Sequence, residues 1–176
     1  VMKLKAKTTL LTVSLSGAMI VLVITVSLLS FRYFSLSTAK DHVRSAAEIV
    51  RVSLTEAMIN SVINKREQFL TRLSEVDGLL VARVVRGPRV VEQFGYGLDK
   101  EQMADDIERE VLRSGKADFN MVEGDDGPVF KGTIPFIATN VGTPNCLACH
   151  EVMNGTVLGA ITIHLSMSRL KEEALV

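Results

Sequence analysis

The feature that most constrains this chain is an uncharged apolar segment near its amino terminus. Residues 8–31 read TTLLTVSLSGAMIVLVITVSLLSF, 24 positions without a charged side chain and rich in Leu, Val and Ile. About 20 apolar residues in a helix are enough to cross the hydrocarbon core of a bilayer. The sequence therefore predicts a transmembrane helix in which residues 8–31 contact membrane lipid.

The charges beside this segment predict its orientation. Lys3, Lys5 and Lys7 precede it without an acidic residue among them, and positive charge marks the cytoplasmic side of a membrane segment. Everything after Arg32 is then expected outside the cytoplasm. A cleaved secretory signal is the alternative, but its apolar region runs about 7 to 15 residues and ends at a small-residue cleavage site. The longer segment found here favours an uncleaved, single-pass anchor.

Composition limits the kind of domain that the rest of the chain can form. The chain holds 20 Lys and Arg against 20 Asp and Glu, and three of the lysines precede the apolar segment, so the remainder carries 17 against 20, or −3. This charge excludes a nucleic-acid footprint. The remaining length suits one domain of ordinary size. We therefore divide the chain into a cytoplasmic stub with its anchor, 1–34, and one exported domain, 35–176.

The exported domain begins with a helical pattern. Between residues 38 and 62, apolar side chains recur at steps of three and four, at Val43, Ala46, Ala47, Val50, Leu54, Ala57, Met58 and Val62. The pattern predicts an amphipathic helix that continues out of the membrane. Its apolar seam would pack either against the domain's own core or against a second copy, in a homodimer through residues 38–62.

Capping residues predict two further helices. Asn64 with Glu67 fits a capping box, and Asp77-Gly78 would end the helix that begins there. This helix would turn inward Phe69, Leu70, Leu73 and Val76. Asp99 can cap a third helix, stopped by Gly115, which would bury Met103, Ile107 and Val111.

Short β-branched runs predict five strands, at residues 79–86, 90–94, 118–122, 129–139 and 157–167. Alternation in the last strand would put Val157, Ile161, Ile163 and Leu165 on one face and Leu158, Ala160, Thr162 and His164 on the other. Five strands joined mostly by turns, with helices in front, predict an α+β fold with an antiparallel sheet. The order of elements suits a PAS-like extracytoplasmic domain.

The two cysteines of the chain lie in one motif, CLACH. Cys146 and Cys149 are three apart and His150 comes directly after them, the spacing at which two thiols join the vinyl groups of one haem and the imidazole binds its iron. The sequence thus favours one covalent haem c, outside the cytoplasm. Three alternatives remain open: a disulfide closing a very short loop, a zinc site completed by Glu151 or His164, and a thioredoxin-type pair, which the loop at Thr143-Pro144-Asn145 disfavours.

The ligand on the other face of the iron is less well determined by the residues. Met103 and Met121 are expected in the core, Met153 comes too soon after His150, and His42 is expected in solvent. His164 is either a ligand or a hydrogen-bonded interior histidine. Met58 lies on the seam of the long helix beside the small Ala57, so that both core packing and ligation remain open for it. Met58 is thus the first candidate, ahead of His164 and Met121.

Three stretches carry a resemblance to a known family. The run EAMINSVINKREQFLTRLSEVDGLLVARVV, the PNCLACH site and VLGAITIHLSMSRL resemble the periplasmic c-type haem sensor domains, PAS-like in fold, of bacterial chemoreceptors and sensor kinases, and similar stand-alone haem proteins. The resemblance covers residues 35–172. It implies a periplasmic domain anchored in the bacterial inner membrane. In that family a methionine of the leading helical region can be the distal ligand, which carries over to Met58 alone.

This resemblance implies two possible functions. The first is a haem-based redox or small-ligand sensor, in which oxidation releases Met58 and moves its helix. Such receptors continue into a cytoplasmic module after a second span, which SRLKEEALV does not provide, so the chain is expected either to be truncated or to signal through a partner. The second is an electron-transfer cytochrome subunit of a larger membrane complex.

Surface charge and enzymatic motifs complete the expectations. Residues 99–126 hold ten acids against four bases, which form either a solvated face or a docking surface for a basic redox partner. The sequence lacks a Ser/His/Asp arrangement, a phosphate-cradling glycine loop and paired carboxylates near the motif. We therefore do not expect an enzyme.

Overall fold

The structure is a computed structural model that describes residues 4–141 and 145–168. In chain order its elements are α1 (Leu4–Ile59), a 3-10 turn (Ile63–Lys65), α2 (Arg66–Leu73), β1 (Leu79–Arg86), α3 (Pro88–Phe94), a 3-10 turn (Asp99–Glu101), α4 (Asp106–Ser114), β2 (Asp118–Gly124), β3 (Gly127–Ile137), a 3-10 turn (Cys146–Ala148) and β4 (Val157–Ser166). The chain divides into two compact units, residues 1–38 and 39–176. The predicted loop at Thr143 and Pro144 and the chain beyond residue 168 lie outside the described residues.

The first unit consists of the amino-terminal part of α1. Large apolar side chains are exposed on every side of this helix, among them Leu11, Met19, Val23 and Phe31. A helix that is apolar all round is stable only where apolar surroundings cover it. This helix is long and apolar enough to cross a membrane, as the sequence predicted.

In the second unit, α1 packs through the predicted seam. Its buried side chains succeed one another at steps of three and four, at Ala39, Val43, Ala47, Val50 and Leu54. Val43 fits against the sheet because Gly132 has no side chain: a Cβ there would lie 2.4 Å from Val43 Cγ1. The helix ends at Ile59, before the predicted Val62. There Ser61 adopts a positive φ of 58° and the Val62 amide donates to the Ala57 carbonyl, a helix-ending arrangement that glycine usually provides.

The sheet is antiparallel, with strand order β1-β4-β3-β2. This confirms the α+β class and places four of the five predicted strands. The fifth prediction, a strand at 90–94, is wrong, because these residues belong to α3. Gly87 has an extended backbone before the helix and Pro88 occupies its first turn, where proline is favoured because its missing N–H is not needed.

The starts of α2 and α4 also differ from prediction. Asn64 lies in a 3-10 turn and Lys65 precedes α2 without a side-chain cap. The cap of α4 is Asp105, whose Oδ1 accepts from the Glu108 amide at 2.8 Å, whereas Asp99 begins a separate turn. In both places the predicted cap lies in a 3-10 turn before the helix. Gly115 ends α4 with a left-handed φ of 65°, as predicted.

The end of α2 comes earlier than predicted. The helix stops at Leu73 rather than at Asp77-Gly78. The Ser74 hydroxyl accepts a hydrogen bond from the Ala82 amide of β1, which joins the end of the helix to the sheet. Val76 then lies beyond the helix and is about half exposed, so its predicted inward position is wrong.

The side chains of β4 that face α4 follow the predicted alternation, with one exception. Ala160 packs with Val111 and Leu112 of α4, and Thr162 donates to the buried Glu108 carboxylate at 2.9 Å, as the alternation predicted. Val157 departs from it, because it packs with Ala160. The register shifts between Phe136 and Ile137 where β3 pairs with this end of β4, and such an irregularity changes the face on which a side chain lies.

Substitution Gly159→Ala is expected to destabilise the domain by about 1–3 kcal/mol, the usual range for overpacking. A Cβ at Gly159 would lie 2.5 Å from the Val85 carbonyl oxygen, and the backbone of a paired strand cannot move aside cheaply. Urea unfolding monitored by circular dichroism measures the loss. Gly17→Ala is the control, because a Cβ there meets nothing within 4 Å; equal effects of the two variants would contradict the strand contact.

Candidate functional site

A cavity of about 370 Å³ opens in the second unit between α1, β1, α3 and the CLACH turn. Its volume lies within the range of small-molecule and cofactor sites. Leu54 and Met58 of α1 line one side, Val84 and Phe136 come from the sheet, and His150 comes from the turn. Most of the lining is apolar, so the cavity suits a largely apolar ligand.

The CLACH residues form a compact, hydrogen-bonded turn. The Asn145 side chain accepts from the Leu147 amide at 2.9 Å, and the Cys146 carbonyl accepts from the amides of both Cys149 and His150. The thiols are not joined to each other. Cys149 lines the cavity and is exposed, while Cys146 is half-buried. The turn therefore carries two thiols that are not joined to each other, and His150 follows the second.

His150 is buried at the cavity wall. Phe94 packs edge-on against the imidazole at 5.4 Å between ring centroids. Burial lowers the pKa of His150 below its usual value, so the ring is neutral at pH 7, the form that binds metals. Within the described part of the chain, Nδ1 is buried without a hydrogen-bond partner. An unpaired buried nitrogen is costly, so this ring needs a further partner.

Helix α3 holds the turn in place, and the sequence did not predict this helix. Gln93 donates through Nε2 to the Cys149 carbonyl at 3.2 Å and accepts at Oε1 from the Glu151 amide at 3.1 Å. The next residue, Phe94, is the one that packs on His150. The signal available in the sequence was Gly87-Pro88, the pattern of a helix start.

The candidate distal ligands Met58 and His164 lie in different parts of the structure. Met58 lines the same cavity as Cys149 and His150. His164 pairs in register with Lys131, whose ammonium contacts Asp105 at the start of α4, and neighbours in register share a face of the sheet. His164 therefore lies on the α4 face and does not line the cavity. Burial and, to a smaller extent, the charge of Lys131 lower its pKa.

The methionines expected in the core are not there. Met103 and Met121 are 49% and 45% exposed, and neither lines the cavity. Met103 precedes α4 instead of lying on it, and Met121 lies on β2, the strand at the edge of the sheet. Only Met58, among the methionines of the described ranges, faces the site.

A zinc site receives no support from the described side chains. Across residues 4–141 and 145–168, no three His, Cys, Asp or Glu side chains come together as a metal-binding group. A structural zinc ion requires a closed set of four such ligands. The cavity lining brings together the Cys149 thiol, the His150 imidazole and the Met58 thioether, and Cys146 lies in the same turn as Cys149. These are donor types that suit a c-type haem.

A charged cluster forms the remaining part of the cavity wall. Glu101 is 4% exposed and accepts hydrogen bonds from Arg86 Nε at 2.8 Å, from Arg66 Nη2 at 3.1 Å and from the Leu98 amide at 3.0 Å. Burial raises the pKa of Glu101, but the Arg66 and Leu98 hydrogen bonds and the two guanidinium charges outweigh it, and the pKa falls below its usual value. The carboxylate is therefore ionised at neutral pH.

Comparison with known proteins finds no matching family model and no matching curated protein.

Proposed function

We propose that this chain is a membrane-anchored, monohaem c-type cytochrome whose PAS-like domain acts as a haem-based redox or small-ligand sensor. The single observation that carries the proposal is the convergence of Cys149, His150 and Met58 on one largely apolar cavity, with Cys146 in the same turn. These are the donors that a c-type haem uses.

Each donor has a separate task. Cys146 and Cys149 would hold the macrocycle through thioether bonds, and neutral His150 would bind the iron. Met58 would supply a second protein ligand to the iron. A bound haem would supply one-electron redox chemistry and a metal at which a ligand can exchange. Gln93 and Phe94 orient the turn and the His150 ring, and the apolar walls exclude water.

The same proposal includes the location. Lys3, Lys5 and Lys7 would keep the amino terminus in the cytoplasm, and the domain would lie in the periplasm of a bacterium, anchored once in the inner membrane. Thioether formation at Cys146 and Cys149 requires reduced thiols at the moment of attachment, and the structure has both thiols free.

Signalling would depend on Met58. A thioether binds ferrous iron better than ferric iron, so oxidation would weaken its bond. Met58 lies in the last turns of α1, the helix that also contains the apolar segment. A change at Met58 would therefore be passed along α1 to a signalling partner. A homodimer would use the outer side of this helix, where Ile49, Val52 and Ile59 are about half exposed, since the predicted seam is buried within the domain.

Electron transfer is the second candidate function. Cys149 is exposed, so an edge of the attached macrocycle would be accessible to a redox partner. Exposed acidic residues of α4, Asp106 and Glu110, already pair with arginines one turn on, which weakens the case for a strongly acidic docking surface. Salt dependence of electron exchange would distinguish a docked carrier from a sensor.

The test of the proposal is covalent haem. Purified full-length protein is expected to show a c-type reduced-minus-oxidised spectrum and, under denaturing conditions, a mass increased by one haem. The matched variant Cys146→Ser/Cys149→Ser should lack the added mass. A colourless wild-type protein, or a pigment that acid acetone extracts, would overturn the proposal.

A further inference from the structure

The charged cluster of Arg66, Arg86 and Glu101 lies in the wall of an otherwise apolar cavity. The side chains of the two arginines are 14% and 16% exposed, and that of Glu101 is 5% exposed. Charged groups are rarely placed so deep without a purpose or a partner. Their arrangement indicates what kind of ligand the cavity accepts beside them.

The cluster has a surplus positive charge. Among the described residues that line the cavity, Arg66 and Arg86 carry guanidinium groups and Glu101 carries a carboxylate. Two guanidinium groups face one carboxylate, which leaves one positive charge beside apolar walls. The two guanidinium groups are largely withdrawn from solvent, and a poorly solvated surplus charge favours an opposite charge beside it. The cavity therefore favours an anion beside Arg66 and Arg86.

Arg86 also retains hydrogen-bond donors. Its Nε donates to Glu101 at 2.8 Å and its Nη1 donates to the carbonyl of Gly95 at 2.9 Å. Nη1 also lies 3.4 Å from the Phe94 carbonyl oxygen, and none of these hydrogen bonds within the described residues uses Nη2. Arg66 donates through Nη1 to the Ile63 carbonyl and through Nε and Nη2 to Glu101. The planar guanidinium of Arg86 is thus fixed in place with one nitrogen free to bind a carboxylate.

Glu101 and Gly97 set the position of the cluster. Glu101 links both guanidinium groups through its two oxygens. A Cβ at Gly97 would lie 1.9 Å from Glu101 Oε2 and 2.5 Å from Arg86 Nε, so a side chain there would displace both groups. The segment before α4 therefore packs closely on the cluster and keeps it in the cavity wall.

We infer that Arg86, held by Glu101 and assisted by Arg66, binds the propionate carboxylates of the porphyrin. This inference rests on the proposed haem function and deepens it: the apolar lining with Met58 and His150 would hold the ring, and the guanidinium groups would bind its carboxylates. The ligand class is an iron porphyrin with free carboxylates, as distinct from one whose carboxylates are esterified.

The test uses the haem-free chain and changes one partner at a time: the carboxylates of the porphyrin are esterified, and Arg86 of the protein is substituted. Iron mesoporphyrin IX has no vinyl groups, so it cannot form thioether bonds with Cys146 and Cys149, and its binding is reversible. Its affinity is compared with that of its dimethyl ester, in wild type, Arg86→Gln, Arg86→Lys and the control Arg89→Gln. Arg89 lies on α3, 66% exposed and paired with Glu92, outside the cavity lining.

We expect wild type and Arg89→Gln to bind the free acid at least about tenfold more tightly than the ester, the value of one charge-assisted hydrogen bond. In Arg86→Gln this preference should fall to near onefold, and Arg86→Lys should restore part of it. If Arg86→Gln does not fold, the preference of wild type for the free acid over the ester and the reduced preference of Arg86→Lys still test the role of Arg86. Equal wild-type affinities for acid and ester would overturn this inference alone, whereas binding of neither would overturn the proposed haem function as well.

Discussion

Substitution of Met58 by alanine is expected to change the reduced, haem-loaded protein from low spin to high spin. Met58 is half-buried and lines the cavity that His150 enters. Alanine is too short to reach a ligand that fills this space. The iron would retain His150 as its one protein ligand, and ferrous haem with a single imidazole is high spin. Absorption and magnetic circular dichroism spectra of the reduced protein measure the change.

Met103→Ala and Met121→Ala are the matched controls for this experiment. Both side chains are exposed to a similar degree and lie outside the cavity, so each variant removes a thioether without altering the site. Both should remain low spin when reduced. If Met58→Ala also stays low spin, Met58 is not the distal ligand and has no part in the redox-linked signal.

The parts of the fold that the sequence predicted are those with a strong repeating pattern. Val43, Ala47, Val50 and Leu54 obey the helical period and are buried. Ala160 and Thr162 obey the strand period and share a face. Periodicity predicts these positions because one face of each element is covered by the rest of the domain.

The wrong predictions arise where the local sequence is compatible with two different structures. Residues 90–94 read as a β-branched strand, but Pro88 begins a helix whose end contacts the CLACH turn through Gln93. Asp99 and Asp105 are both good helix caps, and only Asp105 also pairs with Lys131 of β3. Contacts with distant residues decided both cases, and neither contact leaves a pattern in the local sequence.

The residues of the candidate site also divide into those that the sequence could identify and those that it could not. Cys146, Cys149 and His150 could be named from their spacing alone, because the chemistry requires them within one turn. Arg66 and Arg86 could not, since each meets Glu101 from a different element, 35 and 15 residues away. A buried charge is visible only after the fold brings the partners together, and on the sequence these three residues look like ordinary surface charges.

Glu101→Gln is expected to destabilise the domain by about 3–5 kcal/mol, the range for breaking a buried ion pair on one side. Glutamine would leave Arg66 and Arg86 in the cavity wall without an anion. A loss of this size is a large fraction of the stability of an ordinary domain. Urea unfolding of the full-length, haem-free chain at pH 7 measures it.

The pH dependence identifies the cause. The folded protein lowers the pKa of Glu101 below the ordinary value of 4.5, so the stabilisation is fully present above about pH 4.5 and is lost as the pH falls through the folded-state pKa. The difference between wild type and Glu101→Gln should therefore be constant from pH 7 to about pH 5 and should shrink below that. A difference that persists unchanged in acid would point to packing and not to charge.

Two further variants isolate the ion pairs. Glu110→Gln removes an exposed carboxylate paired with Arg113 on α4, and it should leave the unfolding midpoint unchanged. Adding Arg86→Gln to Glu101→Gln should cost less than the sum of the two single variants, because the second change removes a charge that the first has left unpaired. Additive losses would mean that Arg86 and Glu101 stabilise the domain independently, and the cluster would then not act as one unit in the cavity wall.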